Sequence, residues 1–119
     1  MPEFSKTNSW SKKFANAFRG IGVGIQGQNS FYVHLPIGLM VIVAALMLGL
    51  DTTRLCLLLL CIAFVLTAEL INSSLERFAK AITTEHDPQI RDGLDIASGA
   101  VLVAAIFAAV TGAIIFLSS

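Results

Sequence analysis

Three long apolar stretches occupy most of this chain and constrain its fold more than any other feature. They run over residues 31–50, 55–68 and 96–117, and the second continues into a polar segment with a helical pattern. A helix needs about 20 mostly apolar residues to cross a bilayer, and each stretch reaches that length with its flanking residues. Strands are disfavoured, because three of them cannot close a barrel and an open sheet edge stays unsatisfied in lipid. The sequence therefore predicts an all-α membrane protein.

The first 29 residues carry a different pattern. Large apolar side chains recur at helical spacing at Trp10, Phe14, Phe18, Ile21 and Ile25, whereas the basic residues fall largely on other faces. This pattern is typical of an amphipathic helix that lies in the membrane interface. We therefore predict a single domain over residues 1–119. Its elements are an interfacial helix within 1–29 and transmembrane helices over 30–50, 53–78 and 93–118.

The charged residues exclude one class of partner and set an orientation. Eight Lys and Arg balance eight Asp and Glu, so no basic patch that binds nucleic-acid phosphates can form. Basic residues concentrate before the first span and between the second and third spans, whereas the connection 51–54 carries one. The positive-inside rule places the N-terminus and the second connection, roughly 79–92, in the cytoplasm.

The acidic residues are unevenly distributed, since six of the eight lie between residues 69 and 95. Glu69, Asn72 and Glu76 follow one another at i, i+3 and i+7, so they share one face of the second transmembrane helix. Glu69 comes directly after an apolar run, where a carboxylate is costly unless it is paired, ligated or hydrated. Asp95 and Ser98 share a face of the third transmembrane helix.

If these two faces meet, they form a pocket of three carboxylates, an amide and a hydroxyl at the membrane surface. Such a pocket suits Mg²⁺, which is usually held by one or two carboxylates and substrate phosphates, and it offers a general base. In the alternative interpretation the acids pair with basic residues at a solvated helix end. His34, at the start of the first span, is expected to be an interfacial anchor or the partner of a neighbouring polar group.

Four segments resemble a known family. Residues 68–76 (AELINSSLE) resemble the A/V-E-L-L-N-[ST]-A-I-E signature of the prokaryotic diacylglycerol kinases, which are small membrane lipid kinases. Residues 95–104 (DIASGAVLVA) resemble that family's K-D-x-[AG]-[AS]-[AG]-A-V-L motif. Residues 17–21 (AFRGI) and 30–35 (SFYVHL) are similar to stretches of its undecaprenol-kinase-like branch. The resemblance covers about residues 10–117.

The resemblance implies ATP-dependent phosphorylation of a membrane lipid alcohol, diacylglycerol or undecaprenol, with ATP and Mg²⁺ as cofactors. It implies a homotrimer in the bacterial inner membrane, with active sites shared between subunits. By position, Glu69 is the general base on the lipid hydroxyl and Glu76 is a metal ligand. Asn72, Asp95 and Ser98 belong to the nucleotide and metal site.

The sequence departs from the family pattern at three positions. Gln28 replaces a glutamate that binds metal, Leu94 replaces a lysine that binds phosphate, and Lys80 replaces an acid. An amide is a weaker Mg²⁺ ligand than a carboxylate, and leucine cannot neutralise a phosphate. Either Lys80 or Arg91 supplies the missing cation from a new direction, or the chain keeps the fold with a changed or lost reaction.

Three hypotheses of function follow. The first is a lipid kinase that acts at the cytoplasmic surface of the membrane. The second is a non-catalytic or altered-donor member of the family that binds lipids or proteins as a membrane scaffold. The third is a small transporter in which Glu69 is a proton or cation site, although the chain lacks the repeats and broken helices that transporters commonly contain.

Overall fold

The computed structural model describes residues 9–26, 29–82 and 84–118, and all regular secondary structure in these ranges is helical. The helices are α1 (Trp10–Ile25), α2 (Asn29–Met47), α3 (Thr52–Ile82) and α4 (Pro88–Leu117). Three of them, α2, α3 and α4, are long and apolar enough to cross a membrane. The prediction of an all-α membrane protein is confirmed. Helix α1 exposes Trp10, Phe14 and Phe18, as expected of a helix in the membrane interface.

A glycine turn ends α2 and reverses the chain. Gly49 adopts the left-handed conformation with φ of 68°, which costs a residue without a Cβ atom little. The Gly49 amide donates to the Leu46 carbonyl and the Leu50 amide donates to the Ala45 carbonyl, the two bonds of a Schellman motif. The Asp51 carboxylate then accepts the Arg54 amide at 3.2 Å and so caps α3. Consequently α2 and α3 form a tight antiparallel pair.

The connection between α3 and α4 is shorter than the 79–92 segment that the sequence predicted. Helix α3 continues to Ile82, and α4 begins at Pro88 rather than at residue 93. Asp87 is the reason for the early start, because its carboxylate accepts the Gln89 and Ile90 amides at 2.8 and 3.3 Å. Proline suits the first helical position, since its missing N–H has no intrahelical partner there.

Helix α3 is the centre of the fold and contacts the other three helices, α4 most extensively. Its buried residues are Leu58, Val65, Glu69 and Ser73. At the end near the α2–α3 turn, Leu58 packs with Ala45 and Ile115 in an apolar cluster. At the other end the buried positions of α3 are polar, and these face α1 and α2.

The lengths of α3 and α4 place their polar ends outside the hydrocarbon. Helix α3 has 31 residues, which corresponds to about 46 Å at 1.5 Å per residue, against about 30 Å of hydrocarbon. If its first turns lie at one surface, roughly 20 residues bring the chain to Glu69 and Asn72 at the opposite surface. The rest of α3 and the first turns of α4 therefore project beyond it.

Candidate active site

The site is built around a buried carboxylate held by a histidine. Glu69 lies on α3 with 3% of its side chain exposed, and its Oε1 is 2.6 Å from Nδ1 of His34 on α2. This distance is typical of a short hydrogen bond with a charged partner. The expectation that His34 is the partner of a neighbouring polar group is confirmed, although the sequence alone did not identify that group.

Two buried side-chain oxygen atoms of α3 have no hydrogen-bond partner in the part of the chain that the structure describes. Among the residues that the structure describes, neither Oε2 of Glu69 nor Oδ1 of Asn72 has a partner. Buried polar atoms in folded proteins are nearly always paired, so each such exception requires an explanation. Both atoms are acceptors, and they lie one helical turn apart on the polar face that the sequence predicted.

Helix α1 is joined to the same end of α3. The Ser73 hydroxyl donates to the Gly24 carbonyl at 3.3 Å, and Nη2 of Arg77 donates to the Val23 carbonyl at 3.1 Å. A Cβ atom on Gly24 would lie 2.7 Å from Cδ2 of Leu70, so the absence of a side chain permits this close approach. Arg77, a basic residue near the end of α3, thus binds the carboxyl end of the interfacial helix.

A polar cavity of about 300 Å³ lies between the end of α3 and the start of α4. Glu76, Lys80, Arg91 and Leu94 all line it. The two cations that the sequence offered in place of the missing lysine therefore share one cavity with Leu94. Glu85 and Asp87 also line it, so the cavity contains three carboxylates beside the two cations. Carboxylates and cations together are the groups that bind a metal ion and its phosphates.

The structure does not form the complete pocket predicted from the sequence. Asp95 and Ser98 are exposed, and neither lines the cavity that contains Glu76 and Arg91. The two polar faces are therefore not joined within one chain, because α4 packs on α3 through other residues, among them the buried Ala97. Gln28, the other predicted metal ligand, lies outside the described residues. No group of three or more His, Cys, Asp or Glu clusters as a metal site within the described ranges.

An apolar groove of about 640 Å³ runs between α2 and α4 over the surface of α3. His34 is the polar residue at one end of its lining, together with Val65 and Leu66, and Leu58 and Leu117 lie at the other end. Small residues of α4, including Ala108 and Gly112, form one wall. The groove therefore leads from the apolar cluster to the histidine that holds Glu69.

A comparison with family models identifies the family of the chain. The model described as "Prokaryotic diacylglycerol kinase" matches residues 15–116, which is most of the chain. The chain belongs to the prokaryotic diacylglycerol kinase family. All four helices lie wholly or mostly within the matched range, so the resemblance seen in the sequence is confirmed.

Two curated proteins of this lipid kinase family are similar to the chain. An "Undecaprenol kinase" from Bacillus subtilis is 28% identical over 113 residues, which cover 95% of this chain and 92% of that protein. A "Diacylglycerol kinase" from Synechocystis is 31% identical over 105 residues, which cover 87% of this chain and 60% of that protein. Both relatives are named as lipid kinases. The chain is thus a multi-pass membrane protein of a lipid kinase family.

Proposed function

We propose that this chain transfers the γ-phosphoryl group of ATP to the hydroxyl of a membrane lipid alcohol, diacylglycerol or undecaprenol. The observation that carries the proposal is the burial and hydrogen bonding of the Glu69 carboxylate. This carboxylate is buried at the membrane-surface end of α3, with Oε1 held by His34 and Oε2 without a partner among the described residues. A general base must have an oxygen that can accept a hydrogen bond from the substrate hydroxyl, and Oε2 meets this requirement.

In the proposed reaction Glu69 takes the proton of the lipid hydroxyl. The hydroxyl oxygen forms a bond to the γ-phosphorus, and the bond from that phosphorus to the bridging oxygen breaks, so its electron pair leaves with ADP. Phosphoryl transfer of this kind depends mainly on positioning and charge neutralisation. Proton transfer to a positioned base contributes roughly 10²–10⁴-fold to a rate.

The residues present suit a magnesium nucleotide. Glu76 provides a carboxylate to the polar cavity. Oδ1 of Asn72, which has no hydrogen-bond partner among the described residues, lies one helical turn away on the same face. One or two protein carboxylates are enough, because phosphates and water complete the Mg²⁺ shell. We assign Glu76 and Gln28 as metal ligands and Asn72, Asp95 and Ser98 to the nucleotide site. When bound, the ion neutralises the phosphate oxygens.

Lys80 and Arg91 are the proposed cations for the nucleotide phosphates. Both line the polar cavity with Leu94 and Glu76, so their charges lie on the side where the family lysine would extend from position 94. A guanidinium binds phosphate through two parallel N–H bonds, and an ammonium binds it as a point charge. This arrangement favours a compensated kinase over a chain that has lost nucleotide binding.

The apolar groove is the proposed site of the lipid's hydrocarbon chain. It is lined almost wholly by apolar side chains, with His34 at the end nearest Glu69. A hydrocarbon chain in this groove would bring its hydroxyl toward the buried carboxylate. We place this end of the molecule, with α1, at the cytoplasmic face, because the basic residues concentrate there.

A homotrimer is the proposed assembly. Asp95 and Ser98 face away from the polar cavity of their own chain, and α2 and α4 expose many large apolar side chains, among them Leu39, Leu102 and Phe107. Neighbouring copies that cover these faces would bring Asp95 and Ser98 to the site of an adjacent subunit. The bacterial inner membrane is the corresponding location.

Label transfer tests the proposed function directly. Purified protein in mixed micelles with Mg²⁺ and γ-labelled ATP is given diacylglycerol, undecaprenol or no lipid alcohol, and label is counted in the organic phase. If label appears in the organic phase only when one of the alcohols is present, the result supports the proposal and identifies that alcohol as the substrate. Absence of label with both alcohols, from protein that remains folded in detergent, contradicts it and favours a family member with an altered donor or a scaffold role.

A further inference from the structure

The contact between His34 and Glu69 connects two helices at a distance of 35 residues along the chain. His34 is 28% exposed, whereas Glu69 is nearly inaccessible. Among the described residues, the imidazole is the side chain that forms a hydrogen bond with this carboxylate. Within the described ranges no Lys or Arg forms an ion pair with this carboxylate, so its orientation depends on the imidazole.

We propose that His34 is the positioning residue for Glu69, holding Oε1 so that Oε2 takes the proton of the lipid hydroxyl. The inference rests on the proposed function, since it requires that Glu69 is the base. His34 acts through Glu69 and has no bond of its own to the reacting atoms.

The two carboxylate oxygens are distinguished by their surroundings. Oε1 has a hydrogen-bond partner at 2.6 Å, and Oε2 is buried without one among the described residues. A carboxylate that acts as a base is an acceptor at both oxygens, so Nδ1 of His34 must carry the proton in this contact. With Oε1 occupied by that N–H, Oε2 is the oxygen that remains available to the substrate.

The position of His34 links the base to the lipid. His34 lines the apolar groove from α2, beside Val65 and Leu66 of α3. The same imidazole that fixes the carboxylate therefore also borders the path of the hydrocarbon chain. The proton passes from the hydroxyl to Oε2 as the oxygen bonds to the γ-phosphorus, and the imidazole keeps its own proton throughout.

Three substitutions of His34 separate positioning from packing. In His34→Asn the side-chain amide nitrogen lies near the position of Nδ1. In His34→Gln the amide nitrogen lies nearer the position of Nε2. In His34→Leu the side chain has no donor. We expect His34→Leu to lower kcat by about tenfold or more, as loss of a hydrogen bond to a charged group does. The KM for ATP is expected to stay within about twofold, because neither His34 nor Glu69 lines the cavity proposed for the nucleotide phosphates. His34→Asn should retain most of the rate and exceed His34→Gln.

A double-mutant comparison distinguishes positioning of Glu69 from a purely structural role of His34. In a Glu69→Gln background, His34→Leu should cause no further loss of the residual rate, because residues that act as a unit are non-additive. A structural role instead predicts an equal loss in both backgrounds. Wild-type kcat in folded His34→Leu, or equal additional losses, would overturn the inference.

The outcomes also separate this inference from the proposed function. Full activity of Glu69→Gln overturns the role of Glu69 itself, whereas an inactive Glu69→Gln with a fully active His34→Leu overturns the role of His34 alone. If His34→Leu yields no folded protein, the Asn and Gln variants carry the test. A rate ratio of about five or more in favour of Asn supports positioning through Nδ1, and equal rates contradict it.

Discussion

The hydroxyl of Ser73 on α3 donates a hydrogen bond to the carbonyl of Gly24, 49 residues earlier in the chain. Gly24 is buried, near the end of an interfacial helix that is otherwise mostly exposed. The bond satisfies a carbonyl near the end of α1, where helical carbonyls lack intrahelical partners. It also fixes α1 beside the polar face that carries Glu69 and Asn72.

Removing this hydroxyl should loosen α1. In Ser73→Ala we expect faster deuterium uptake by the amides of residues 20–26, since an interhelical hydrogen bond in a membrane protein contributes about 0.6 kcal/mol. Hydrogen exchange with mass spectrometry in micelles measures the change. Ser74→Ala is the control, because Ser74 is exposed. Equal uptake in the two variants would show that Ser73 does not hold α1.

The glycines of α1 should differ in their tolerance of alanine. A Cβ atom on Gly22 meets nothing within 4 Å, whereas one on Gly24 would lie 2.7 Å from Cδ2 of Leu70. Gly22→Ala should therefore stabilise α1 by about 0.5–1 kcal/mol through helix propensity. Gly24→Ala should stabilise α1 by less, because the Leu70 side chain must move to accommodate the new Cβ atom. Exchange protection of α1 measures both, and a Leu70→Ala background should restore the gain at Gly24. An identical gain at the two positions in the wild-type background would contradict the close approach.

Much of this architecture is predictable from the sequence because hydrophobic length decides it. The three spans, the amphipathic pattern of α1 and the polar face of Glu69, Asn72 and Glu76 follow from periodicity. The helix boundaries near residues 79–92 do not follow from periodicity. The N-terminal cap at Asp87 starts α4 within a segment that the sequence predicted to be a polar connection. Local patterns cannot identify the partner of Glu69, because His34 meets it through the packing of α2 on α3.

The polar faces of α3 and α4 do not meet within one chain, for a related reason. Shared faces on α3 and α4 describe each helix alone, and the angle at which the helices pack decides which faces meet. Ala97 is buried, whereas Asp95 and Ser98 are exposed. Helical periodicity placed Asp95 and Ser98 on one face correctly but contained no information about what that face contacts.

The cations of the polar cavity should control affinity for the nucleotide. Arg91→Met and Lys80→Met are each expected to raise the KM for ATP by about tenfold, since a hydrogen bond to a charged group contributes about 1.5–3 kcal/mol. The KM for the lipid should not change. Steady-state kinetics at varied MgATP measure the effect.

Leu94→Lys provides the matched control for this prediction. A lysine at position 94 lies in the same cavity, so it should lower the KM for ATP in Arg91→Met toward the wild-type value. Unchanged KM values in both methionine variants would contradict compensation by these cations. A loss that Leu94→Lys does not repair would indicate that Arg91 has another role.

A large side chain in the groove should interfere with the lipid and not with ATP. Ala108 lines the groove, whereas Phe107 is 68% exposed and does not line it. We expect Ala108→Phe to raise the KM for the lipid, expressed as its mole fraction in micelles, by about tenfold because it removes space for apolar contact. Phe107→Leu should leave this value unchanged. Wild-type lipid kinetics in folded Ala108→Phe would exclude the groove as the lipid site.

The rate of label transfer by Glu69→Gln tests the central claim most directly. The amide preserves the size of the buried side chain and can still bind His34, but it cannot accept the proton. The expected result is a loss of roughly 10²–10⁴-fold in kcat. The variant should have the elution volume and the unfolding temperature of the wild type. Asp92→Asn is the control, because it removes an exposed carboxylate from the start of α4 and should keep full activity. A Glu69→Gln protein that phosphorylates lipid at the wild-type rate would contradict the assignment of Glu69 as the base.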